Sequence, residues 1–293
     1  MAKQDVAPPL DPAHLRRLAE SALTEDQARH DVTTAALVPP EQQGRAVIVA
    51  KAEGVLAGLP MAEAVFKALD PSLAWRPLAA EGARLSPGQA VAEVEGPLAA
   101  ILRAERVALN YLTHLSGVAT ATARLVEAIA GTTCRLRDTR KTTPGLRTLE
   151  KYAVRIGGGQ NHRFTLADAV LIKDNHLAAL RARSLGIADA VRLASAPGGA
   201  PPDMRVQIEV TDVEEARQAL AAGAHELLLD NMPPEEMRRV VDLANRKAVL
   251  EASGGITLAN ARQVAETGVD YISVGAITHS APALDLSLEV APS

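Results

Sequence analysis

The sequence predicts a mixed α/β protein: an N-terminal α+β sandwich domain followed by an incomplete parallel α/β barrel of six to seven strands. Three observations predict it. After Gly131, six short β-branched runs each close on a polar residue or glycine: Thr133–Asp138 into DTRK, Ala169–Ile172 into KDN, Val206–Ile208 into EVT, Leu227–Leu229 into DN, Val249–Leu250 into EASGG and Tyr271–Val274 into GA. The last four recur about every 22 residues with a helix-like segment in each gap, such as Val213–Ala222 closed by Gly223; that is the rhythm of βα repeats in a parallel sheet. Upstream of residue 97, strand signals follow one another without room for long crossovers, which favours a small, mainly antiparallel sheet carrying helices. Six runs fall short of the eight of a full barrel, so the barrel is expected to be incomplete.

The elements follow in order. Residues 1–9 read as a loosely held arm ending in Pro8-Pro9. Asp11-Pro12 opens a short helix with a partial stripe of Leu15, Leu18 and Leu23. Glu25–Thr34 is polar and turn-like, and His30 there reads as an exposed loop residue. Arg45–Gly58 predicts two short strands around Glu53-Gly54, Leu59–Leu69 a helix ended by Asp70-Pro71, and Ala74–Leu78 and Ala90–Glu95 two further strands. From Pro97 to Ala130 apolar residues recur at spacings of 3, 4 and 7, interrupted by Gly117, which predicts two helices or one bent helix. Pro197–Pro202 reads as a loop, and the alternating Leu284–Val290 as a strand returning to the first sheet. The expected domains are therefore 1–117, joined by the segment 280–293, and 118–279.

Composition excludes several classes. Aromatics make up 2% of the chain, too few for the stacking platforms of single-strand nucleic-acid binders. A net charge of −4 argues against a duplex-binding surface. The one cysteine, Cys134, sits in a predicted strand and reads as core, and a chain with a single cysteine fits a reducing cytoplasm. The first residues carry no apolar signal-like segment, and no apolar run approaches 18 residues.

The chemistry concentrates in Arg135–His176, which sets nine Lys and Arg against four Asp and Glu in an otherwise acidic chain. Arg147, Lys151 and Arg155 recur at helical spacing and read as a solvated face. Arg140, Lys141, His162, Arg163 and Lys173 do not; they sit beside strand ends or in the Gly157–Gly159 loop. Cations beside bare backbone suit a small polyanion. In parallel α/β folds the ligand site lies at the carboxyl ends of the strands. Here those ends gather Arg140, Lys141, Lys173, Glu209, Asp230, Ser253, Gly254, Gly255 and Gly275. Two carboxylates, Glu209 and Asp230, in a cationic pocket invite Mg²⁺ when the substrate carries phosphates. The SGG and GA steps on neighbouring βα loops are phosphate-cradle candidates. The residues alone thus point to an enzyme acting on a phosphorylated polyanion, with Mg²⁺. Two other readings stay open at this level: Lys173 as a Schiff-base lysine of an aldolase-like barrel, and a non-catalytic anion-binding barrel, which leaves Glu209 and Asp230 unexplained. A solvated residue is the default reading of Arg106.

The motifs RDTRKTTPGLRTLEKYAVRIGGGQNHR, DAVLIKDNH, IEV, LLLDN, EASGGI and DYISVGAITHS, with AERVALNYLTHLSGVAT and EDQARHDVTT upstream, closely resemble the quinolinate phosphoribosyltransferase family over nearly the whole chain. The resemblance implies a pentosyl transfer in NAD biosynthesis: quinolinate and phosphoribosyl pyrophosphate give nicotinate mononucleotide, pyrophosphate and CO₂. It implies that Arg106, Arg140, His162, Arg163 and Lys173 hold the quinolinate carboxylates, with Arg106 supplied by the neighbouring subunit of a homodimer. It implies that Thr139 and Lys141 serve the substrate, Lys141 at the pyrophosphate. Glu209 and Asp230 would meet the ribose hydroxyls and Mg²⁺, directly or through water, and Ser253, Gly254, Gly255, Gly275 and Ala276 would cradle the 5-phosphate. Lys141, Lys173, Glu209 and Asp230 are the expected catalytic set. Within the resemblance, a paralogue associated with molybdate transport and nicotinate phosphoribosyltransferase are the alternatives.

Overall fold

The computed structural model describes residues 10–196, 198–201 and 204–290. The expected arm at 1–9 lies outside them, as does part of the expected loop at 197–202.

Helix α1 (Pro12–Glu25) opens on Asp11, whose carboxylate accepts the Ala13 N–H, with Pro12 in the first turn. It buries Leu15, Ala19 and Leu23 at four-residue spacing. The segment expected to be a turn instead holds a 3₁₀ turn at Ala28–His30 and helix α2 (Val32–Leu37). Asp31 is the reason: its side chain accepts the N–H groups of Thr33 and Thr34 and caps the helix. His30 is exposed. Strand β1 (Gln43–Ala50) buries Ala46, Ile48 and Ala50 at alternate positions. Then follow β2 (Gly54–Val55), α3 (Leu59–Leu69), β3 (Ala74–Pro77), β4 (Arg84–Leu85) and β5 (Ala90–Pro97).

Helix α4 (Leu98–Ala128) is a single helix of 31 residues. It continues through Gly117, where the sequence predicted two helices or one bent helix. Glycine serves there for closeness, since a Cβ would overlap the Pro282 carbonyl oxygen. Ser116 and Thr120, one turn apart and buried, accept the N–H groups of Ala57 and Val55 at 3.0 and 2.8 Å.

After β6 (Arg135–Arg137) comes α5 (Arg147–Ile156). The expected solvated basic face of α5 is a correction: Lys151 is fully buried, beside the equally buried Glu150, and Arg147 and Arg155 are half-buried. Helix α5 packs with both faces engaged, so helical spacing of cations did not mean exposure. The remaining elements are β7 (Val170–Ile172), α6 (Asp174–Arg181), α7 (Ile187–Ser195), β8 (Val206–Val210), α8 (Val213–Ala221), β9 (Glu226–Asp230), α9 (Pro234–Ala244), β10 (Val249–Ser253), α10 (Ala261–Ala265), β11 (Tyr271–Ser273), α11 (Ala276–His279) and β12 (Leu286–Val290).

Two compact units result. The first combines 1–123, 143–158 and 277–293, and the second 124–142 and 159–276. The expected 117/118 boundary falls inside α4, which is continuous from Leu98 to Ala128, and 143–158 groups with the first unit. In the first unit the antiparallel sheet has the order β12-β1-β5-β3, with the late strand β12 paired to β1, and β2 pairs separately with β4. In the second, six parallel strands run in the order β6-β11-β10-β9-β8-β7. This is the incomplete parallel α/β barrel that the βα rhythm predicted.

Candidate active site

The six parallel strands set the site through their pleat. Successive side chains point to opposite faces, so positions i and i+2 share one face. Near their carboxyl ends, two strands each present such a pair to one cleft, Leu228 and Asp230 of β9 and Glu251 and Ser253 of β10; Glu209 of β8 joins them, with Leu171 of β7 and Lys173 just past its end. Ser273 of β11 adds to it. The loop after β6 supplies Thr139, Arg140 and Lys141, and the loop before β7 supplies His162 and Arg163. Gly254, Gly255, Asp174 and Asn231 complete a cavity of about 540 Å³. A larger recess of about 920 Å³ opens at the amino ends of the strands, around His225, Val249 and Asp270, and holds none of the expected site residues. The chemistry thus sits at the carboxyl ends, as parallel α/β sheets dictate.

Of the residues expected from sequence, Thr139, Arg140, Lys141, His162, Arg163, Lys173, Glu209, Asp230, Ser253, Gly254 and Gly255 line this one cavity. Arg106 does not; it is exposed on α4. Gly275 and Ala276 lie where β11 passes into α11, outside the lining.

The electrostatics are mixed. Lys173 Nζ lies 3.8 Å from Glu209 Oε2. Burial pushes the Glu209 carboxyl above its ordinary range and nearby Asp230 pushes the same way, against the pull of Lys173. Burial, and then the charge of Arg140, lower the Arg163 guanidinium, with Asp168 opposing. Arg163 Nη1 donates to the Ala169 carbonyl at 2.6 Å. Arg140 keeps its buried Nε without a partner, a cost that a bound anion would relieve. The Lys173 N–H donates to His176 Nδ1 at 2.9 Å, which ties the lysine's backbone to the start of α6. At the end of β10, Gly254 has φ +90°, and a Cβ there would run into the Asn231 side chain. Only glycine lets these two strand ends approach so closely.

Beneath the cavity lies a network that the sequence reading missed. Glu251 is fully buried. It accepts from Arg137 Nη1 at 2.7 Å, from Gln207 Nε2 at 3.1 Å and from the Ser273 hydroxyl. Burial alone would raise its carboxyl; Arg137, with the hydrogen bonds that Ser273 and Arg137 donate, opposes that, and the carboxyl is held below the usual range. Arg137 also stacks on Tyr271, its guanidinium carbon 3.3 Å from the ring centre. Asp138 accepts from the His162 N–H at 2.8 Å and from Asn161 Nδ2 at 2.6 Å. The available signal was a polar residue inside each apolar run: Gln207 in VQIEV and Glu251 in VLEAS. Cys134, by contrast, is buried core, its thiol pushed up to about 12 by burial.

A parallel α/β sheet whose strand ends and neighbouring loops pool four cations and four carboxylates in one cleft defines an enzyme of small, charged substrates. Comparison with known proteins narrows that class. Residues 118–289 match the model of the quinolinate phosphoribosyl transferase C-terminal domain, and residues 31–116 that of the N-terminal domain. The chain is 42% identical to the probable nicotinate-nucleotide pyrophosphorylase [carboxylating] of Bacillus subtilis, over 94% of this chain and 93% of that one. It is 42% identical to the nicotinate-nucleotide pyrophosphorylase [carboxylating] of Homo sapiens, over 97% and 95%. The solved nicotinate-nucleotide pyrophosphorylase of Francisella tularensis superimposes with a TM-score of 0.91 at 38% identity, covering 98% of this chain and 99% of that one. The chain belongs to the quinolinate phosphoribosyl transferase family.

Proposed function

We propose that this enzyme transfers the phosphoribosyl group of phosphoribosyl pyrophosphate to the ring nitrogen of quinolinate, releasing pyrophosphate and CO₂ and leaving nicotinate mononucleotide for NAD biosynthesis. The observation that carries the reading is the gathering of Arg140, Lys141, Arg163 and Lys173 around Glu209 and Asp230 in one cleft, in a chain similar over nearly its full length to carboxylating pyrophosphorylases. Quinolinate is a dianion and its partner is more negative still. Bringing them together takes a dense cationic pocket.

In this reading Arg140, Arg163 and Lys173 face the two quinolinate carboxylates, with His162 beside them, and Arg106 of a second subunit completes the clamp in a homodimer. Thr139 contacts substrate, and Lys141 serves the pyrophosphate, where it offsets the charge that gathers as the anomeric C–O bond breaks. Glu209 and Asp230 offset the positive charge that develops on the ribose ring. The nitrogen lone pair then forms the new N–C bond. One carboxylate leaves as CO₂, its bonding pair stays on the now cationic ring, and a proton replaces it. Ser253, Gly254 and Gly255, with Gly275 and Ala276 on the next loop, hold the 5-phosphate.

The donor set also fits Mg²⁺. Glu209 and Asp230 are hard oxygen ligands that repel one another across the cleft. Among the described residues no group of three or more His, Cys, Asp or Glu could hold a metal, which suits an ion that takes only one or two carboxylates and fills its shell with water and substrate phosphates. When bound, Mg²⁺ supplies charge neutralisation to the leaving pyrophosphate. Among the described residues no helix is long and apolar enough to cross a membrane, and the single cysteine of the chain fits a cytoplasmic setting.

The test is an assay of the purified enzyme with phosphoribosyl pyrophosphate, Mg²⁺ and either quinolinate or nicotinate, following nicotinate mononucleotide and CO₂. Product and CO₂ from quinolinate, and none from nicotinate, are expected. Turnover of nicotinate alone would overturn the reading.

A further inference from the structure

We propose that Gln207 and Glu251 are positioning residues for the acceptor half of the site: they fix the ring of His162 as its neutral Nε2–H tautomer, and the ring in turn fixes the backbone that carries Arg163. The inference rests on the function proposed above for what Arg163 binds, but its geometry stands apart from that function.

The chain of contacts is closed at every step. The Arg163 backbone N–H donates to His162 Nδ1 at 2.8 Å. That nitrogen must therefore offer a lone pair. An imidazolium would set a second hydrogen against the Arg163 amide, so the ring carries its one proton on Nε2. Nε2 lies 3.2 Å from Gln207 Oε1 and 3.6 Å from Glu251 Oε1. The Gln207 amide is itself oriented, because its Nε2 donates to Glu251. Only the carbonyl oxygen is then left to face His162, and the tautomer follows from the amide's direction. Glu251 is held in turn by Arg137 and Ser273.

The consequence is a division of labour. Both ring nitrogens of His162 are spent within the protein, so the ring meets no carboxylate with a charge of its own. It acts through Arg163, whose side chain is anchored at the Ala169 carbonyl. Loss of the Gln207 acceptor frees the ring, removes the partner of the Arg163 amide and lets the guanidinium drift. Glu209 and Ser253 follow Gln207 and Glu251 on the same strands, but neither they nor Asp230 is a member of this hydrogen-bonded relay. The acceptor half should therefore weaken while the phosphoribosyl half does not.

The experiment compares the full-length enzyme with Gln207→Leu, which removes the acceptor and leaves the Arg137–Glu251 pair in place. Side-chain ¹⁵N correlation spectra at pH 7.5, assigned through His162→Asn, are expected to show His162 in wild type with a pyridine-like Nδ1 and a protonated Nε2, and in Gln207→Leu as an averaged ring. In steady-state kinetics the KM for quinolinate is expected to rise at least tenfold in Gln207→Leu, with the KM for phosphoribosyl pyrophosphate within twofold of wild type. A wild-type His162 protonated on Nδ1 would overturn the proposal without any variant. So would an unchanged His162 spectrum in Gln207→Leu, or KM values that move together or not at all. If the wild-type enzyme does not turn over quinolinate, the proposed function fails, and the spectra still decide the positioning.

Discussion

Glu209 shows how a single residue trades stability for chemistry. It is buried at a strand end, near Asp230 and beside the Lys173 ammonium, and its carboxyl sits above the ordinary range, first from burial and then from Asp230. A carboxyl raised on folding contributes stability that is complete below the ordinary glutamate range and is lost as pH rises through the folded value. At pH 8 the ionised group therefore weakens the unliganded fold. Glu209→Gln is expected to melt at a higher temperature than wild type at pH 8, with the gap closing near pH ~4, and to lose about a hundredfold or more in kcat. Thermal melts at the two pH values check this; a lower melting temperature at pH 8 would contradict the sign. Arg140 is a separate case. Its buried Nε has no partner, and a lysine cannot reproduce a guanidinium fork. Arg140→Lys is expected to weaken quinolinate binding by about 2–5 kcal/mol, read as KM, and unchanged kinetics would remove Arg140 from the site. At this scale the strand-end residues were legible because each follows an apolar run and closes it. Gln207 and Glu251 were not, since a polar residue inside such a run has no signature that separates a buried network from an exposed face.

Among the elements, α4 is the one the sequence misjudged most usefully. Glycine inside a helical pattern ordinarily costs about 1 kcal/mol against alanine, so Gly117 read as a break between two helices or a bend in one. In the structure the helix passes through it because the chain at Pro282 and Ala283 lies against that turn. Proximity in space, not helix propensity, selects the glycine, and no local rule can see a segment some 165 residues away. Gly117→Ala is expected to invert the usual sign. Propensity would gain about 1 kcal/mol, but overpacking against backbone costs about 1–3 kcal/mol where neither partner is a flexible side chain. Chemical denaturation should show a net loss; a net gain would mean that the Pro282 segment yields easily. Lys151 carries the same lesson. Its spacing with Arg147 and Arg155 is that of a solvated face, yet it is fully buried, because α5 is covered by elements distant in sequence. By contrast α3 matched its sequence bounds, since Gly58-Leu59-Pro60 and Asp70-Pro71 punctuate it locally.

For the whole molecule, the βα rhythm after Gly131 foretold the six-stranded parallel sheet, and the crowding of short strands before residue 97 foretold the antiparallel one. Between the two runs of strands, a 31-residue helix crosses the expected boundary at 117/118. Arg106 belongs to this scale. It is exposed on α4 and lines no part of the cavity, yet the family resemblance gives it a substrate role from the neighbouring subunit. If that homodimer forms with two-fold symmetry, each site takes Lys173 from one chain and Arg106 from the other. Arg106→Ala and Lys173→Ala proteins are each expected to be nearly inactive alone. After subunit exchange, about half the dimers would be mixed. Each mixed dimer would hold one site with both residues intact and one with neither, so activity should recover to about a quarter of wild type. A double variant carrying both changes in one chain, mixed with either single variant, should recover nothing. Native mass spectrometry verifies the exchange and the steady-state assay reads the recovery. Mixed dimers present without recovery would show that Arg106 does not act across the interface, and the exposed arginine would return to the solvated role its sequence position first suggested.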